Sequence, residues 1–455
     1  MIRMIVLVIV ACVWSPFIRA VERPNVVIIM CDDLGYGDLG CFGNSAIMSV
    51  HINALAEEGI KFTSCYSAAP VCSPSRAGLM TGRTPNRLGI FDWIPENSGI
   101  YLRAKEVTIA HLLKHAGYKT CHVGKWHLNS KTDGSESTPG DAGFDHSFYT
   151  QNNALPNHME IRNFIRNGKQ VESKTGPASH VVVDEATNWL REQNAQQPFF
   201  LNVWLHEPHE PVVARDDYLA LYEHEENIDR RHYFGDVTQM DAAVGKLLRY
   251  LKDNKLSDNT IVIFTSDNGP ETLNRYKSAN RSYGSPGSLR GMKLHVTEAG
   301  YRVPGIIRWP GKVTPNSVSD VPISTLDFLP TLCAAVGIAA PADRTLDGAN
   351  ILPLFAGEVI KRPQPLYWQY NRALSSPWQI ALRDGAWKLL ANTTLDAFVL
   401  FNLDEDIAET RDRASEEPVR VQQMIAELKR IHAEVAVDAE KSGNPKLGAG
   451  KVKKE

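Results

Sequence analysis

The residue types around Cys72 could support nucleophilic chemistry. Cys72 is followed by Ser73 and Pro74, a pattern typical of the first turn of a helix. The unpaired N–H groups and the positive dipole end of a helix start favour an anion or an activated nucleophile. Arg76 follows Cys72 by four positions, about one helical turn, so its guanidinium can reach Cys72 and neighbouring carboxylates. The pattern predicts a reactive residue at position 72, and the alternative is an ordinary half-buried cysteine.

Two apolar segments end in groups of oxygen-bearing side chains. Residues 25–30 and 261–265 are rich in β-branched residues and are predicted to be buried parallel strands. The carboxyl ends of such strands form the ligand sites of open α/β sheets. Hard oxygen donors with no His or Cys cluster beside them select calcium or magnesium over zinc. The predicted ligands are Asp32, Asp33, Asp267 and Asn268; a turn or helix cap is the alternative for an isolated Asp-Asp pair.

Lys125 and His127 could belong to one anion-binding pocket. They lie two positions apart after the predicted strand 119–123, and alternate residues of an extended segment share one side. An isolated Lys-x-His pair is more often surface decoration, so the prediction depends on the neighbouring motifs.

The order of the predicted elements indicates the fold class. Helical patterns at 108–116 and 240–253 alternate with strand candidates at 119–123 and 198–204, which is typical of an α/β layer fold. After about residue 355 the chain changes to four short strand-like segments and then a helical pattern over 419–435. We therefore predict a large mixed, mostly parallel sheet flanked by helices, and a smaller C-terminal antiparallel-sheet domain.

Composition and charge exclude some functions. The chain has 455 residues, 43% of them hydrophobic, and a formal net charge of −3. This length and hydrophobic content support a substantial buried core. Basic residues are dispersed apart from a lysine-rich end, so no nucleic-acid partner is predicted.

The first twenty residues have the plan of a secretory signal peptide. Arg3 precedes an apolar stretch over 4–13, and the small residue Ala20 ends the segment. Export to the periplasm or out of the cell is predicted. The apolar stretch is too short for a membrane span, and none is predicted later. Lipidation at Cys12 is the less favoured alternative, because residues 9–12 match a lipoprotein cleavage box poorly.

The cysteine count gives no disulfide framework. Of seven cysteines, Cys12 lies in the predicted signal peptide and Cys72 is reserved for chemistry, which leaves an odd number. Cys31, in an apolar strand, and Cys333, in an apolar helix, are expected to be small core residues. The other three are Cys41, Cys65 and Cys121.

The segment from Cys72 to Arg83 resembles the Cys-x-Pro-x-Arg signature of type I sulfatases, and the resemblance extends along nearly all of the chain after residue 24. It implies the alkaline-phosphatase-like sulfatase fold, with a catalytic domain over 24–355 and a small domain over 356–455. It also implies that a formylglycine-generating enzyme oxidises Cys72 to formylglycine. The hydrate of this aldehyde carries two hydroxyls on one carbon.

The same resemblance assigns the metal site. Residues 32–38 and 266–269 match the two metal-binding segments of the family. One oxygen of the modified Cys72 would complete the shell of a single calcium ion, together with Asp32, Asp33, Asp267 and Asn268.

Roles for the cationic side chains follow from the family pattern. The segment Gly124-Lys125-Trp126-His127 resembles a family element in which Lys125 would contact the sulfate and His127 would be the base on the second hydroxyl. His209 and Lys293 match further elements and would bind sulfate oxygens or protonate the leaving oxygen. Arg76 would support the nucleophile. His206 is either a structural histidine or a sugar contact.

The resemblance implies an exported sulfatase that acts on sulfate esters of a sulfated carbohydrate, within the arylsulfatase and N-acetylgalactosamine-6-sulfatase branch. One hydroxyl of the Cys72-derived hydrate would attack sulfur, and the second would let sulfate leave by elimination. Specificity is expected in the loops at 91–102, 129–140, 151–180 and 271–290. The alternatives are a phosphodiesterase or phosphonate hydrolase of the same superfold, and a catalytically silent carbohydrate-binding relative in which Cys72 stays a thiol.

Overall fold

The computed structural model describes residues 23–194, 197–273, 275 and 277–445. The predicted signal peptide, including Cys12, lies outside the described residues. Among the described residues, no helix combines the length and apolar content needed to cross a bilayer. The described cysteines are free thiols, and Cys31 and Cys333 are buried as predicted.

The described strands follow the apolar, β-branched segments of the sequence. They are β1 (Asn25–Cys31), β2 (Ile60–Tyr66), β3 (Lys119–Lys125), β4 (His146–Thr150), β5 (Pro156–Asn157), β6 (Glu160–Ile161), β7 (Ile165–Arg166), β8 (Lys169–Gln170), β9 (Lys174–Thr175), β10 (Phe199–Trp204), β11 (Thr260–Ser266), β12 (Arg302–Arg308), β13 (Ser317–Ser319), β14 (Ile323–Ser324), β15 (Leu366–Gln369), β16 (Ile380–Asp384), β17 (Trp387–Ala391) and β18 (Phe398–Asn402).

The described helices differ in length from one turn to more than six turns. They are α1 (Val50–Glu57), α2 (Cys72–Thr81), α3 (Ile109–His115), α4 (Ala178–Arg191), α5 (Asp216–Leu219), α6 (Ile228–Asp253), α7 (Glu298–Tyr301), α8 (Phe328–Ala335), α9 (Leu352–Phe355) and α10 (Pro418–Lys441). The helix predicted at 240–253 is the second half of α6.

Eleven strands of the described residues form one mixed sheet, in the order β13-β2-β12-β11-β1-β10-β3-β4-β7-β8 with β14 also paired to β2. The central strands β11, β1, β10, β3 and β4 are parallel to one another. β12 is antiparallel to both β11 and β2, and β7 and β8 form an antiparallel edge. The prediction of a large mixed, mostly parallel sheet is confirmed.

The two faces of this sheet are covered by separate apolar layers. Along β1, Val26, Ile28 and Met30 enter a layer that includes side chains of α2, α3 and α8. Val27 and Ile29 enter the opposite layer, with side chains of α1, α4 and α6. Because successive strand residues point to opposite faces, a strand that is apolar throughout must be covered on both sides.

The C-terminal segments form a second sheet, in the order β15-β16-β17-β18 and antiparallel throughout. One face packs against an apolar cluster that contains Tyr66, Cys72 and Tyr301 of the larger part of the chain. The other face is covered by Met424, Leu428 and further residues of α10. The smaller antiparallel sheet is thus confirmed, while the domain boundary between residues 355 and 356 stays a prediction.

Candidate active site

The carboxyl ends of four parallel strands meet at one edge of the large sheet. The last residues of β1 and β11 are paired in register, so Asp32 and Asp267 follow at the same level. β10 lies on the other side of β1 and β3 lies beyond it, which brings His209 and Lys125 to the same edge. Strand ends therefore collect charged residues that are far apart in the sequence.

Three carboxylates form the centre of this site. Asp32, Asp33 and Asp267 are 0%, 2% and 0% exposed. The backbone N–H of Asp33 donates to Asp267 Oδ1 at 3.2 Å, which fixes the two strand ends to each other. Burial and the negative charge of Asp32 raise the pKa of Asp267 to about 7, although Arg76 opposes this shift.

Arg76 binds these carboxylates from the first turns of α2. Its Nε and Nη2 donate to Asp267 Oδ2 at 3.0 and 2.8 Å, and its Nη1 donates to the Lys125 carbonyl at 2.9 Å. Nη2 also lies 3.5 Å from Asp32 Oδ2. The guanidinium is fully buried, and it lies 5.1 Å from the ring of Trp204. The predicted contact of Arg76 with neighbouring carboxylates is thus present.

Two lysines point their ammonium groups at the same carboxylates. Lys125 Nζ lies 2.5 Å from Asp32 Oδ2, and Lys293 Nζ lies 2.7 Å from Asp33 Oδ2. Burial alone would raise the pKa of Asp32, but Lys125, His209 and the other nearby cations hold it well below its usual range. The surrounding cations therefore favour the ionised form of the buried Asp32 carboxylate.

The oxygen donors fit a hard divalent cation. Within the described part of the chain, Asp32 Oδ1 and Asn268 Oδ1 are buried without a hydrogen-bond partner. The amide nitrogen of Asn268 donates to Asp33 Oδ1 at 2.7 Å, so the amide oxygen is the atom left over. Buried polar atoms are costly unless satisfied, and oxygen-only donors are those that Ca²⁺ prefers. This arrangement supports the predicted metal ligands.

Cys72 is the first residue of α2, as the sequence pattern predicts. Its side chain is buried in the cluster that contains Val71 and Leu294. Burial raises the pKa of the thiol to about 11, although Lys125 and Lys293 oppose the shift. Ser73 does not cap the helix; its hydroxyl accepts from the Ile94 N–H at 3.0 Å and holds the 91–94 segment against α2.

His127 lies close to Lys125 but not in the predicted way. β3 ends at Lys125, and His127 has a φ of 53°, so the segment is not extended and the two-residue periodicity does not apply. Its Nε2 lies 3.2 Å from the Ile94 carbonyl, and its buried Nδ1 has no partner among the described residues. Burial and the charge of Lys125 lower the pKa of His127 well below its usual value, so the ring is neutral and can accept a proton.

The two histidines after β10 have different surroundings. His209 Nε2 lies 3.7 Å from Asp33 Oδ2, and its Nδ1 lies 2.8 Å from the Glu210 carbonyl. His206 is buried, and its Nε2 lies 2.7 Å from Thr150 Oγ1. Of the two roles considered for His206, this packing favours the structural one, while His209 lies beside the carboxylates.

Asn153 is a site residue that the sequence patterns did not single out. Its Oδ1 lies 3.4 Å from Lys125 Nζ. It belongs to the polar run over 151–153, directly after β4, and β4 is the parallel neighbour of β3. The polar run is the available signal, but the sequence patterns do not predict the strand that precedes it.

Comparisons with known proteins agree with this geometry. The family model described as "Sulfatase" matches residues 24–338, and a model described as "N-sulphoglucosamine sulphohydrolase, C-terminal" matches residues 292–437. N-acetylgalactosamine-6-sulfatase of Canis lupus familiaris is 35% identical over 370 residues, which cover 76% of this chain and 68% of that protein. Arylsulfatase A of Homo sapiens is 32% identical over 403 residues, which cover 81% and 75%.

Solved structures show the same architecture. The crystal structure of Ps i-CgsB in complex with k-i-k-neocarrahexaose has a TM-score of 0.81 and 29% sequence identity, and the match covers 94% of each chain. The described fold therefore occurs in a solved structure of similar length.

Proposed function

The chain belongs to the sulfatase family, and from this premise we propose that it removes sulfate from a sulfated carbohydrate by means of a formylglycine derived from Cys72 and one calcium ion. Its enzyme class is that of the sulfuric ester hydrolases. The relatives include N-acetylgalactosamine-6-sulfatase and Ps i-CgsB, which was crystallised in complex with k-i-k-neocarrahexaose, and these names support a carbohydrate substrate.

One observation carries the proposal more than any other. Cys72 begins a buried helix, and Arg76 of the same helix binds Asp267 and the Lys125 carbonyl. Lys125 pairs with Asp32, and Lys293 pairs with Asp33. A nucleophile, anion-binding cations and metal-type oxygen donors thus occupy one small volume. A sulfate ester is an anion that repels an anionic attacker, so this combination is what its hydrolysis requires.

Calcium would be held by Asp32, Asp33, Asp267 and Asn268. The unpartnered oxygens of Asp32 and Asn268 support this assignment. When bound, the ion would supply positive charge that favours a deprotonated oxygen at position 72 and reduces the negative charge of the sulfate.

An unmodified Cys72 is poorly suited to attack. Because burial raises the pKa of its thiol to about 11, the thiol is protonated at neutral pH. A formylglycine hydrate would supply two hydroxyls on one carbon, one to attack sulfur and one to release the sulfate.

The other side chains bind the substrate and move protons. Lys125, Lys293 and His209 surround the carboxylates, so their positive charges can bind the nonbridging sulfate oxygens. Neutral His127 can accept a proton on Nδ1. His209 or Lys293 can give a proton to the departing sugar oxygen. Arg76 holds Asp267 and the Lys125 carbonyl, and thereby positions the nucleophile.

Activity measurements on the purified protein test the proposal. The wild-type protein should hydrolyse 4-nitrophenyl sulfate and release inorganic sulfate from sulfated oligosaccharides. Cys72→Ala should lower kcat/KM about 10³-fold or more, because the nucleophile is lost. A chelator should abolish activity, and added Ca²⁺ should restore it. Peptide mass spectrometry should show the loss of mass that accompanies replacement of the thiol by an aldehyde.

Two controls separate this function from its alternatives. Cys72→Ser has only one hydroxyl and should become sulfated once and stall; steady turnover would contradict release through the second hydroxyl. Faster hydrolysis of 4-nitrophenyl phosphate than of 4-nitrophenyl sulfate would favour a phosphoryl enzyme. An unmodified thiol in fully active protein would refute the role assigned to Cys72.

The cellular context completes the proposal. Export through the signal peptide at 1–20 and conversion of Cys72 by a formylglycine-generating enzyme are expected from the sequence.

A further inference from the structure

The loop between β15 and β16, residues 370–379, reaches from the small sheet to Asp92, two residues before the segment that contacts His127. Arg372 Nη1 donates to Asp92 Oδ2 at 2.8 Å, and the Tyr370 hydroxyl donates to Asp92 Oδ1 at 3.0 Å. The Trp93 N–H donates to Asp92 Oδ1 at 2.8 Å. The side chain of Asp92 is only 4% exposed, so it acts as a fixed support for the guanidinium.

The Asp92 segment and the loop 370–379 each contact a segment that carries a residue of the candidate active site. Ile94, two positions after Asp92, contacts His127 through its carbonyl. On the other side, His295 Nε2 lies 2.8 Å from the Leu374 carbonyl. His295 follows Lys293 by two positions. The loop is therefore held between the segment that contacts the proposed base and the segment that carries a sulfate-binding lysine.

The electrostatics of a buried tyrosine agree with this placement. Burial and the negative charge of Asp92 raise the pKa of Tyr370, whereas Arg372 and Lys293 oppose the shift. Tyr370 thus lies in the field of Arg372 and of Lys293.

Arg372 has unused hydrogen-bonding capacity. Its side chain is 50% exposed. In the described part of the chain, its only hydrogen bond is the one from Nη1 to Asp92, which leaves the Nε and Nη2 hydrogens without a partner. A guanidinium has five N–H donors in a planar fork that matches sulfate and carboxylate groups. An arginine fixed by one buried carboxylate can bind a second anion without losing much side-chain entropy.

Two tryptophans in the segments joined by the Asp92–Arg372 pair could contact a sugar ring: Trp93 follows Asp92, and Trp378 lies in the loop that carries Arg372. Trp93 and Trp378 are half-buried, and both pack against the apolar cluster that contains Cys72. Half-exposed tryptophans present a large apolar face at the solvent-accessible surface. The segment 92–94 and the loop 370–379 thus combine two partly exposed aromatic side chains with a fixed cation.

We propose that Arg372, fixed by Asp92, forms a second anion subsite that binds a sulfate or carboxylate on the sugar next to the one that loses its sulfate. The inference rests on the proposed function and narrows its substrate class. The preferred substrate is an oligosaccharide with anionic groups on adjacent sugars, not one with a single isolated sulfate.

Kinetics of Arg372→Ala on matched substrates test the subsite. We expect kcat/KM to fall about 10- to 100-fold, mainly through KM, on a disaccharide with a sulfate on each sugar, because a charge-assisted contact is lost. On a monosulfated disaccharide with a neutral neighbour, and on 4-nitrophenyl sulfate, kcat/KM should change less than about twofold. A third disaccharide, with one sulfate and one uronate carboxylate, identifies which anion is bound.

Binding without turnover keeps the test independent of the proposed reaction. In the full-length Cys72→Ala protein, the Kd for the disulfated disaccharide should rise about 10-fold or more when Arg372→Ala is added. Arg372→Lys should restore part of the affinity. Arg411→Ala is the matched control, because Arg411 is an exposed arginine of the same C-terminal region with one carboxylate partner, Glu416.

The outcomes distinguish failure of the anion subsite from failure of the proposed sulfatase function. Equal losses on mono- and disulfated substrates, or no loss on either, would overturn the subsite. If the wild-type protein hydrolyses no sulfate ester yet binds the disulfated ligand through Arg372, the proposed function fails and the subsite stands. A drop in thermal stability of Arg372→Ala with unchanged Kd would assign the residue a structural role.

Discussion

His158 carries a buried charge behind the strand ends of the active site. Its Nδ1 lies 3.1 Å from both carboxylate oxygens of Asp236, and Gln239 donates to Asp236 at 2.7 Å. A carboxylate oxygen of Glu207 lies within 4.8 Å of this pair. Burial would lower the pKa of His158, but Asp236 and Glu207 raise it to about 9. The backbone of Glu207 in turn accepts the Asp32 N–H at 3.2 Å.

His158→Gln should reduce stability at neutral pH by about 3 kcal/mol, because it leaves buried carboxylates without a cation. Because folding raises the pKa of His158, its charged form stabilises the folded protein fully below the unfolded-state pKa of about 6.5. This stabilisation is lost as the pH rises through the folded-state pKa of about 9. The free energy of unfolding of the two proteins should therefore converge at about pH 10, as measured by urea denaturation.

His224→Gln is the matched control, since His224 is exposed. It should change the free energy of unfolding by less than about 0.5 kcal/mol. A constant stability difference between wild type and His158→Gln across this pH range would contradict a charged His158.

At the scale of the element, the end of β3 depends on a glycine. Gly124 has a φ of +104°, and a Cβ there would lie 1.7 Å from the Trp204 carbonyl oxygen of β10. The close approach of the two strands at this point sets the direction of Lys125, the next residue. Only a residue without a side chain can occupy the position.

Gly124→Ala should therefore lower the free energy of unfolding by at least about 3 kcal/mol, because the backbones of β3 and β10 must separate. It should also reduce sulfatase activity by displacing Lys125. Gly117→Ala is a close control: its φ is +90°, but nothing lies within 4 Å of its Cβ. That change should cost only about 1 to 2 kcal/mol, the price of a left-handed backbone. Equal losses in the two variants would contradict the steric argument.

Elements with long apolar runs were predictable from the sequence, because burial on both faces leaves an unambiguous pattern. β1, β10, β11 and the start of α2 fall where they were expected. Short edge strands such as β7 and β13 were not predicted, because two or three residues carry no periodic signal. The left-handed conformation of His127 was missed because it depends on tertiary contacts, including the Ile94 carbonyl.

The candidate site was predictable in its residues but not in all of its contacts. Strand-end carboxylates and the Cys72 segment stand out locally. The His158 group and the Asp92–Arg372 pair join segments that are far apart in the chain, and their members are common residue types. Only the fold shows that these residues meet.

For the whole molecule, a buried charge cluster connects the small sheet to the large one. Lys388 of β17 is fully buried, and its Nζ lies 2.8 Å from both Glu298 Oε1 and Glu409 Oε1. Glu298, in α7, also binds Arg302 Nη1 at 3.0 Å. Burial would raise the pKa of Glu298, but Lys388 and Arg302 lower it to about 2.

Lys388→Met should lower the free energy of unfolding at neutral pH by about 3 to 5 kcal/mol, because two buried carboxylates lose their shared cation. In the wild type, the depressed pKa of Glu298 gives stability above the unfolded value of about 4.5, which is lost as the pH falls through about 2. In the variant the carboxylates favour protonation, so its stability should instead rise as the pH falls toward about 5.

Urea denaturation at neutral and mildly acidic pH measures whether the pH dependence of the free energy of unfolding differs in sign between the two proteins. Lys429→Met, on the exposed side of α10, should leave the pH dependence unchanged. Parallel pH profiles for wild type and Lys388→Met would show that the cluster contributes packing but not charge.

The complete burial of α2 bears on the proposed conversion of Cys72. All ten residues from Cys72 to Thr81 are inside the folded protein. An enzyme that oxidised Cys72 would therefore have no access to its side chain once the helix had formed between the sheet and its neighbours. Under the proposed function, the oxidation would have to precede folding. A variant that folded faster would then contain a larger fraction of folded but unconverted, inactive molecules.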